Sequence, residues 1–513
     1  MSGVLHLRGA ASWRKMGSLR QRGLKSTSTS RLSSPAFPPL HSHTRLSHTT
    51  TVKEGAWLHP ADDRTESLAA QVKYKSMNNG IIITYNSDHR LHTEDFLKAF
   101  THLNNKVELL RTCFRTRDNQ LWYCRMPESV IDFKVVNGPD EQNEMQRMID
   151  TPFNLADGPL WKARLLPGGG DDHSTWPELQ EEFPHQNRLL LEFHHAAVDG
   201  VDMFMITDWL AKLLEDIISG KPIDDNKQLG QLVDHSQVVA IEQQVKQDLE
   251  KDPERLKLLL EERKKQRVTP LILEAFGVQD VPHPQTEYLG KTLLDMTMFE
   301  KFNKRCRSAG ITFNSGFVAL MNTALIGLVM EAGVHREEYT VTNRHAVDLR
   351  RYLKGHKAIP MGNHSFPMMH SMTVPGNVRD TFWDYAKQFD VDFRTKLENN
   401  YIFEDFVLGQ MLRPDGYSHE KNFANPPPQF YNYSLTNVFS PKFSNMGIGK
   451  HIQITSMQNI VPIGKSEVAI MSGLANLRNK VRFSAWYSTH TMTRDTAQKY
   501  FERVLSLFRE LSD

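Results

Sequence analysis

The chain has 513 residues, a formal net charge of +2 and 39% hydrophobic residues. That length allows two to four domains, or two lobes with decoration, and the near-neutral balance removes the global field that draws nucleic acid. Three scattered cysteines (Cys113, Cys124, Cys306) with no Cys-x-x-Cys spacing argue against a disulfide framework or zinc ribbon and for a reducing compartment.

Residues 1–53 carry Arg and Lys, dense Ser and Thr (Ser26 to Ser30), and no acidic residue before Glu54. This is the composition of a mitochondrial transit peptide or of a disordered tail, so the expected location is intracellular, mitochondrial or cytoplasmic. The folded part is expected from residue 54. Gly80 to Tyr85 reads as a strand and Thr93 to Val107 as a helix. Leu110 to Arg117 and Gln120 to Cys124 read as a hairpin around Asp118-Asn119. Strands follow at Val130 to Val136, Trp161 to Leu166 and Arg188 to Phe193, with a short helix at Glu141 to Ile149 and a glycine-rich loop at 168–172. Val201 to Ser219 is a helix with a wide apolar face, ended by Gly220.

Residues 225–285 form a charged connector, read as solvated helices broken at Pro253. From residue 286 a second lobe repeats the strand and helix pattern. It includes the apolar run Phe317 to Met330, interrupted by Asn322 and Thr323, shorter than the roughly 20 residues of a membrane span and read as a buried helix. No transmembrane segment is expected. Strands and helices mix without strict β-α-β alternation, so the fold class is an α/β sandwich of two lobes, 54–224 and 286–513.

The densest chemistry lies in His194-His195-Ala196-Ala197-Val198-Asp199-Gly200, at the junction of the apolar run Leu189 to Phe193 and the helix after it. A histidine past a strand end can accept a proton from a hydroxyl, amine or thiol. Asp199 either fixes its tautomer, as in a triad, or faces away to a distant arginine. Gly200 admits a backbone approach that a Cβ would hinder. Neighbouring strand residues point to opposite faces, so His194 and His195 do not share an ion, and no metal is expected. No Gly-x-Ser-x-Gly, Walker or Rossmann signature is present. A base with no protein nucleophile points to direct group transfer between two bound substrates.

His-His-x-x-x-Asp-Gly at this junction resembles the chloramphenicol-acetyltransferase-like superfamily, which includes condensation domains. Lys106 to Phe114, Pro152-Phe153-Asn154-Leu155 with Gly158-Pro159-Leu160, and Val347-Asp348-Leu349-Arg350 with Met361-Gly362-Asn363 are similar to further family segments and fall in the family's order. Lys106 and Val107 depart from the family's Arg-His. The resemblance covers about residues 55 to 513. It implies two lobes around a channel, His195 as general base, His194 as secondary, and Asp199 in a salt bridge to a second-lobe arginine, Arg350 first and Arg344 second. It also places Thr436 and Asn437 where relatives have polar groups near the tetrahedral intermediate. The plan looks most like stand-alone alcohol acetyltransferases and polyketide-associated acyltransferases. The resemblance thus implies a monomer with no resident cofactor, acyl-CoA as co-substrate and a hydroxyl or amine acceptor. An amide-forming condensation-type acyltransferase, a thioester hydrolase and a non-catalytic binding protein on the same fold are the alternatives.

Overall fold

The computed structural model describes residues 55–513 except 139, 169–175, 280, 283, 427, 429, 439–442, 444, 465–467 and 479, and omits the side chains of 177 and 290–293. The basic segment 1–53 and most of the glycine-rich loop lie outside the described residues. In chain order the first half contains β1 (Trp57–Pro60), α1 (Asp63–Lys73), β2 (Asn79–Ser87), α2 (Thr93–Lys106), β3 (Thr112–Arg117), β4 (Gln120–Arg125), β5 (Phe133–Val135), α3 (Glu141–Asp150), β6 (Trp161–Pro167), β7 (His185–Phe193) and α4 (Gly200–Ile218). β8 (Gln231–Leu232), α5 (Ser236–Glu250), α6 (Pro253–Gln266) and α7 (Leu271–Phe276) follow. The second half contains β9 (Thr286–Leu294), α8 (Met296–Ser308), α9 (Phe313–Glu331), β10 (Glu338–Asp348), β11 (Pro360–Met361), β12 (Ser365–Pro375), α10 (Phe382–Glu398), α11 (Tyr401–Met411), α12 (His419–Ala424), β13 (Tyr431–Asn437), β14 (Ile452–Ile460), β15 (Val468–Leu477), β16 (Lys480–Ser488) and α13 (Arg494–Ser512).

Two sheets organise these elements. The first has the order β14-β2-β7-β6-β5 and the second β12-β10-β13-β15-β16-β9. Both faces of the first sheet are covered. Ile81, Ile83, Leu189, Leu191 and Phe193 join a core with α2 and α4, while Ile82 and Leu190 face Met145, Met148 and Ile149 of α3. This explains the continuous apolar run of β7, since alternate residues are buried on opposite faces. The β3–β4 hairpin closes at Asp118 and Asn119, both at positive φ (51° and 60°), the geometry of a two-residue type I′ turn.

The division of the chain at 225–285 follows sequence order but not the sheets. β14 comes from the second half and pairs antiparallel with β2 of the first, Ile454 opposite Tyr85 and Ile460 opposite Gly80. β8 and β11 form a second, two-stranded join. The connector's helices are largely exposed, as their charge implies, but two ionic side chains are buried. Glu242 of α5 pairs with Arg64 of α1, and Arg263 of α6 with Asp405 of α11, all four side chains being buried. Pro253 does separate two helices, but as the first residue of α6, where its missing N–H costs nothing.

α9 has 19 residues, taking in the apolar run with Phe313 to Gly316 before it and Glu331 after it. By length and composition it could cross a membrane, yet 78% of its apolar window is buried against the second sheet and neighbouring helices. Its two polar interruptions have partners there. Thr323 donates to the Ala319 carbonyl at 2.8 Å. Asn322 accepts from Tyr433 (2.7 Å) and Asn343 (3.0 Å) and donates to the Tyr385 hydroxyl (2.7 Å), so α9, α10, β10 and β13 meet at one amide. Removing it strands buried polar groups, each costing about 1–3 kcal/mol. Asn322→Leu is therefore expected to lower the urea midpoint by an amount equivalent to about 3 kcal/mol or more with an unchanged m-value.

Candidate active site

β7 delivers the histidines to the space between the lobes. The His194 N–H bonds to the Leu160 carbonyl at 2.9 Å, the last rung before the chain turns, and the Ala197 and Val198 N–H groups fold back onto the His194 carbonyl. α4 then starts in a capping box. The Asp199 carboxylate accepts from the Asp202 N–H at 3.0 Å and Asp202 reaches back to the Asp199 N–H.

Past the end of β7 the two histidines point apart. His194 is buried between Phe114 and Phe153, with ring centroids at 5.7 and 5.4 Å, and accepts weakly from the Ala196 N–H through Nδ1. Burial, with His195 and Lys162 nearby, pushes its pKa down to about 3. His195 lines a cavity of about 1040 Å³ between the lobes. Its Nδ1 lies 3.1 Å from the Val198 carbonyl and 3.0 and 3.4 Å from the amide nitrogens of Asn79 and Asn363; in the tautomer that donates to the carbonyl, Nε2 is left with its lone pair. Asn79 of β2 donates to the same carbonyl at 2.7 Å, and Asn363 donates to the His195 carbonyl at 2.6 Å. No serine, threonine or cysteine among the described residues hydrogen-bonds this ring. Burial lowers the His195 pKa and outweighs the pull of Asp199, so the ring is neutral near pH 7. A neutral imidazole in that tautomer can accept a proton at Nε2.

Asn79 was not singled out in the sequence. The signal available there is an Asn doublet, Asn78-Asn79, opening an apolar strand. Gly200 lines the cavity, where a Cβ would come 3.2 Å from Val438 Cγ1. Thr436 and Asn437 both reach the cavity wall, but the Asn437 amide donates to Asn314 Oδ1 at 2.9 Å, which leaves Thr436 as the more available of the two. Arg344 also lines the cavity, its guanidinium 5.2 Å over the Tyr431 ring, and does not meet Asp199.

Arg350 does. Its Nη1 is 2.7 Å from Asp199 Oδ2 and its Nη2 is 2.7 Å from Asp202 Oδ1 and 3.2 Å from Asp199 Oδ1. The His364 N–H donates to Asp199 and the Gly362 N–H to Asp202, while Arg350 also donates to the carbonyls of Pro360 and Gly362. Asp199 thus faces away from His195 and ties α4 to the second lobe. Burial acts to raise its pKa, and Arg350 overrides this and lowers it. Burial and the Asp199 charge raise that of Asp202. Removing the cation leaves two buried carboxylates uncompensated, so Arg350→Ala is expected to cost about 3–5 kcal/mol. Asp199→Asn is expected to lower the melting temperature together with activity. A loss of rate with an unchanged melting temperature would instead assign Asp199 to orienting the imidazole.

No protein-family model matches the chain. A stretch of 123 residues is 33% identical to bacitracin synthase 3 of Bacillus licheniformis; it is 23% of this chain and 2% of that protein, so the chain spans a small part of this relative. Three solved structures align over most of the molecule. The condensation domain of the monacolin K polyketide synthase MokA superposes with a TM-score of 0.62 at 13% identity, over 89% of this chain and 98% of that one. The starter condensation domain of rhizomide synthetase RzmA, solved with C8-CoA, gives 0.59 at 14% identity over 89% and 95%. Polyketide synthase associated protein 5 of Mycobacterium tuberculosis gives 0.57 at 14% identity over 90% and 99%. At these identities the likeness is one of fold: the chain has the two-lobed α/β fold of the condensation-domain superfamily.

Proposed function

We propose that this protein is an acyltransferase that moves an acyl group from a thioester, acyl-CoA, to an acceptor hydroxyl without a covalent enzyme intermediate. The observation that carries this reading is His195, an imidazole with Nδ1 at the Val198 carbonyl and, in the tautomer that donates there, Nε2 open to the cavity between the lobes. In the proposed step Nε2 takes the hydroxyl proton as the oxygen attacks the thioester carbonyl. A C–O bond forms and the carbonyl becomes an oxyanion, for which the Thr436 hydroxyl is the candidate donor. Collapse breaks the C–S bond, and the imidazolium returns its proton to the departing thiolate. The reaction is balanced as thioester plus alcohol to ester plus thiol.

The three cysteines support a mechanism without a thiol nucleophile. Cys113, Cys124 and Cys306 are buried, and burial raises their pKa values, to about 11 for Cys113 and about 12 for Cys306. The C8-CoA bound by the RzmA domain supports a CoA thioester as donor class. An amine acceptor would use the same base, and product identity with matched alcohols and amines decides between ester and amide formation.

His195→Ala is expected to lower acceptor-dependent thiol release by about 10²–10⁴. Unchanged turnover in a folded variant would remove His195 from the mechanism. The imidazole must be neutral to act, and burial holds its pKa below the ordinary histidine value. The acid limb of kcat/KM is therefore expected below about pH 6.5, with activity falling only as pH drops through the lowered value. A limb centred above 7 would contradict the assignment.

A further inference from the structure

The far end of β2 carries a side-chain cluster that acyl transfer does not use. β2 spans nine residues, from Asn79 beside His195 to Ser87, so its ends lie roughly 26 Å apart at the usual rise per residue. Asp88 and His89 follow Ser87 in the turn before α2, and His451 immediately precedes β14. Asp88 and His451 are 363 positions apart in the chain, and the pairing of Ile452 with Ser87 brings them together.

The backbone of each of the three residues is held. The Asp88 N–H donates to the His451 carbonyl at 3.2 Å. The His451 N–H donates to the Glu215 carboxylate of α4 at 2.9 Å, and the Ser87 hydroxyl donates to the His89 carbonyl at 2.7 Å. Their side chains converge from these anchors. Asp88 Oδ1 is 2.6 Å from His89 Nδ1, and Asp88 Oδ2 is 2.8 Å from His451 Nδ1. One donor atom from each residue lies within 4.8 Å of the other two. A point at their centre is then within about 2.8 Å of every donor, so metal–ligand bonds of about 2.0 Å form with shifts of less than about 1 Å. The rings are also disposed for a shared ion. Two imidazoles on one tetrahedral zinc have ring centres roughly 5.2 Å apart, and those of His89 and His451 are 5.6 Å apart.

Little competes for these donors. Among the described residues the Asp88 carboxylate meets no lysine or arginine, and neither imidazole has a second hydrogen bond. The His89 side chain is 68% exposed, which leaves one side of the cluster to water. Two imidazoles and one carboxylate suit zinc, cobalt or nickel, whereas calcium and magnesium take oxygen ligands.

We propose that Asp88, His89 and His451 bind one divalent transition ion of the zinc class, with water completing its coordination, and that the ion ties β14 to the end of β2. The inference stands independently of the acyl-transfer reading. β14 is the edge strand of the first sheet and arrives from the second half of the chain, so an ion at its first turn fastens the crossing where only one neighbouring strand holds it. The ion has no part in proton transfer at His195, at the other end of β2.

Calorimetric titration of the full chain with zinc chloride, after treatment with a chelator and its removal, tests this. Wild-type protein is expected to bind one zinc at this site and to melt at a higher temperature with zinc present, because an ion that binds only the folded chain stabilises it. Asp88→Asn and His451→Gln should each weaken that binding by about a hundredfold or more and abolish the rise in melting temperature. His89→Gln removes the most exposed ligand and gives the same loss with the least risk to the fold. Magnesium chloride should produce neither heat nor stabilisation. His41, His43 and His48 precede the folded part, and replacing all three with Gln should leave the binding unchanged. The proposal is overturned if wild-type protein takes up no zinc, if the three ligand variants retain it, if the His41, His43 and His48 replacement carries the loss, or if magnesium binds equally. Zinc uptake without a rise in melting temperature would overturn the tie between β14 and β2.

Discussion

The arrangement of the site depends on one buried cation. Arg350 lies between Asp199 and Asp202, the N-cap and N3 residues of the α4 capping box, and the same carboxylates take the N–H groups of Gly362 and His364. One positive charge serves two buried carboxylates, and the α4 N-terminus adds partial positive charge of its own. Burial makes such a cluster costly in desolvation, so its contribution is geometric: only one docking of α4 against the 348–364 segment satisfies every group. His195 sits four residues before Asp199, and its backbone carbonyl is held by Asn363 from the same segment. The contact that joins the lobes therefore also sets where the imidazole points.

The cavity follows from how the sheets are covered. The first sheet packs helices on both faces, which leaves no room for a ligand within it. The second packs α8, α9, α10 and α13 on one face and gives the other to the cavity, so alternate residues of β16 divide cleanly between core and wall. β14 leaves the second half of the chain to pair with β2, and Thr455, Met457 and Asn459 along it line the cavity. Arg482 on β16 reaches the Met457 carbonyl and the Ser456 hydroxyl, which fixes this crossing strand against the second sheet. A space bounded by two lobes and a shared strand can admit two substrates while excluding most water, as direct transfer requires.

Local signals were legible in the sequence and long-range pairings were not. The Asp118-Asn119 turn, the amphipathic α4 and the opposed directions of His194 and His195 each follow from a few adjacent residues. Arg350 and Arg344 both stood as partners for Asp199, and only the register of β10 separates them. Arg344 lies within the strand, opposite Met369 and Ser434, with its guanidinium over Tyr431, whereas Arg350 lies past the strand end in a short turn capped by Asp348. Asn79, Asp202 and the crossing of β14 depend on contacts between residues more than one hundred positions apart, which periodicity does not report. Two of the connector's charges were hidden for a related reason: composition shows that Glu242 and Arg263 are ionic, and only the fold shows that Arg64 and Asp405 meet them in the interior.

The central claim is that the acyl group passes directly from donor to acceptor, with His195 moving the proton and no bond formed to the protein. Intact-protein mass spectrometry after incubation with an acyl-CoA, with acceptor withheld, tests it most directly. The account predicts an unmodified mass, with thiol release beginning only when acceptor is added. A stoichiometric acyl adduct that acceptor then discharges would contradict it.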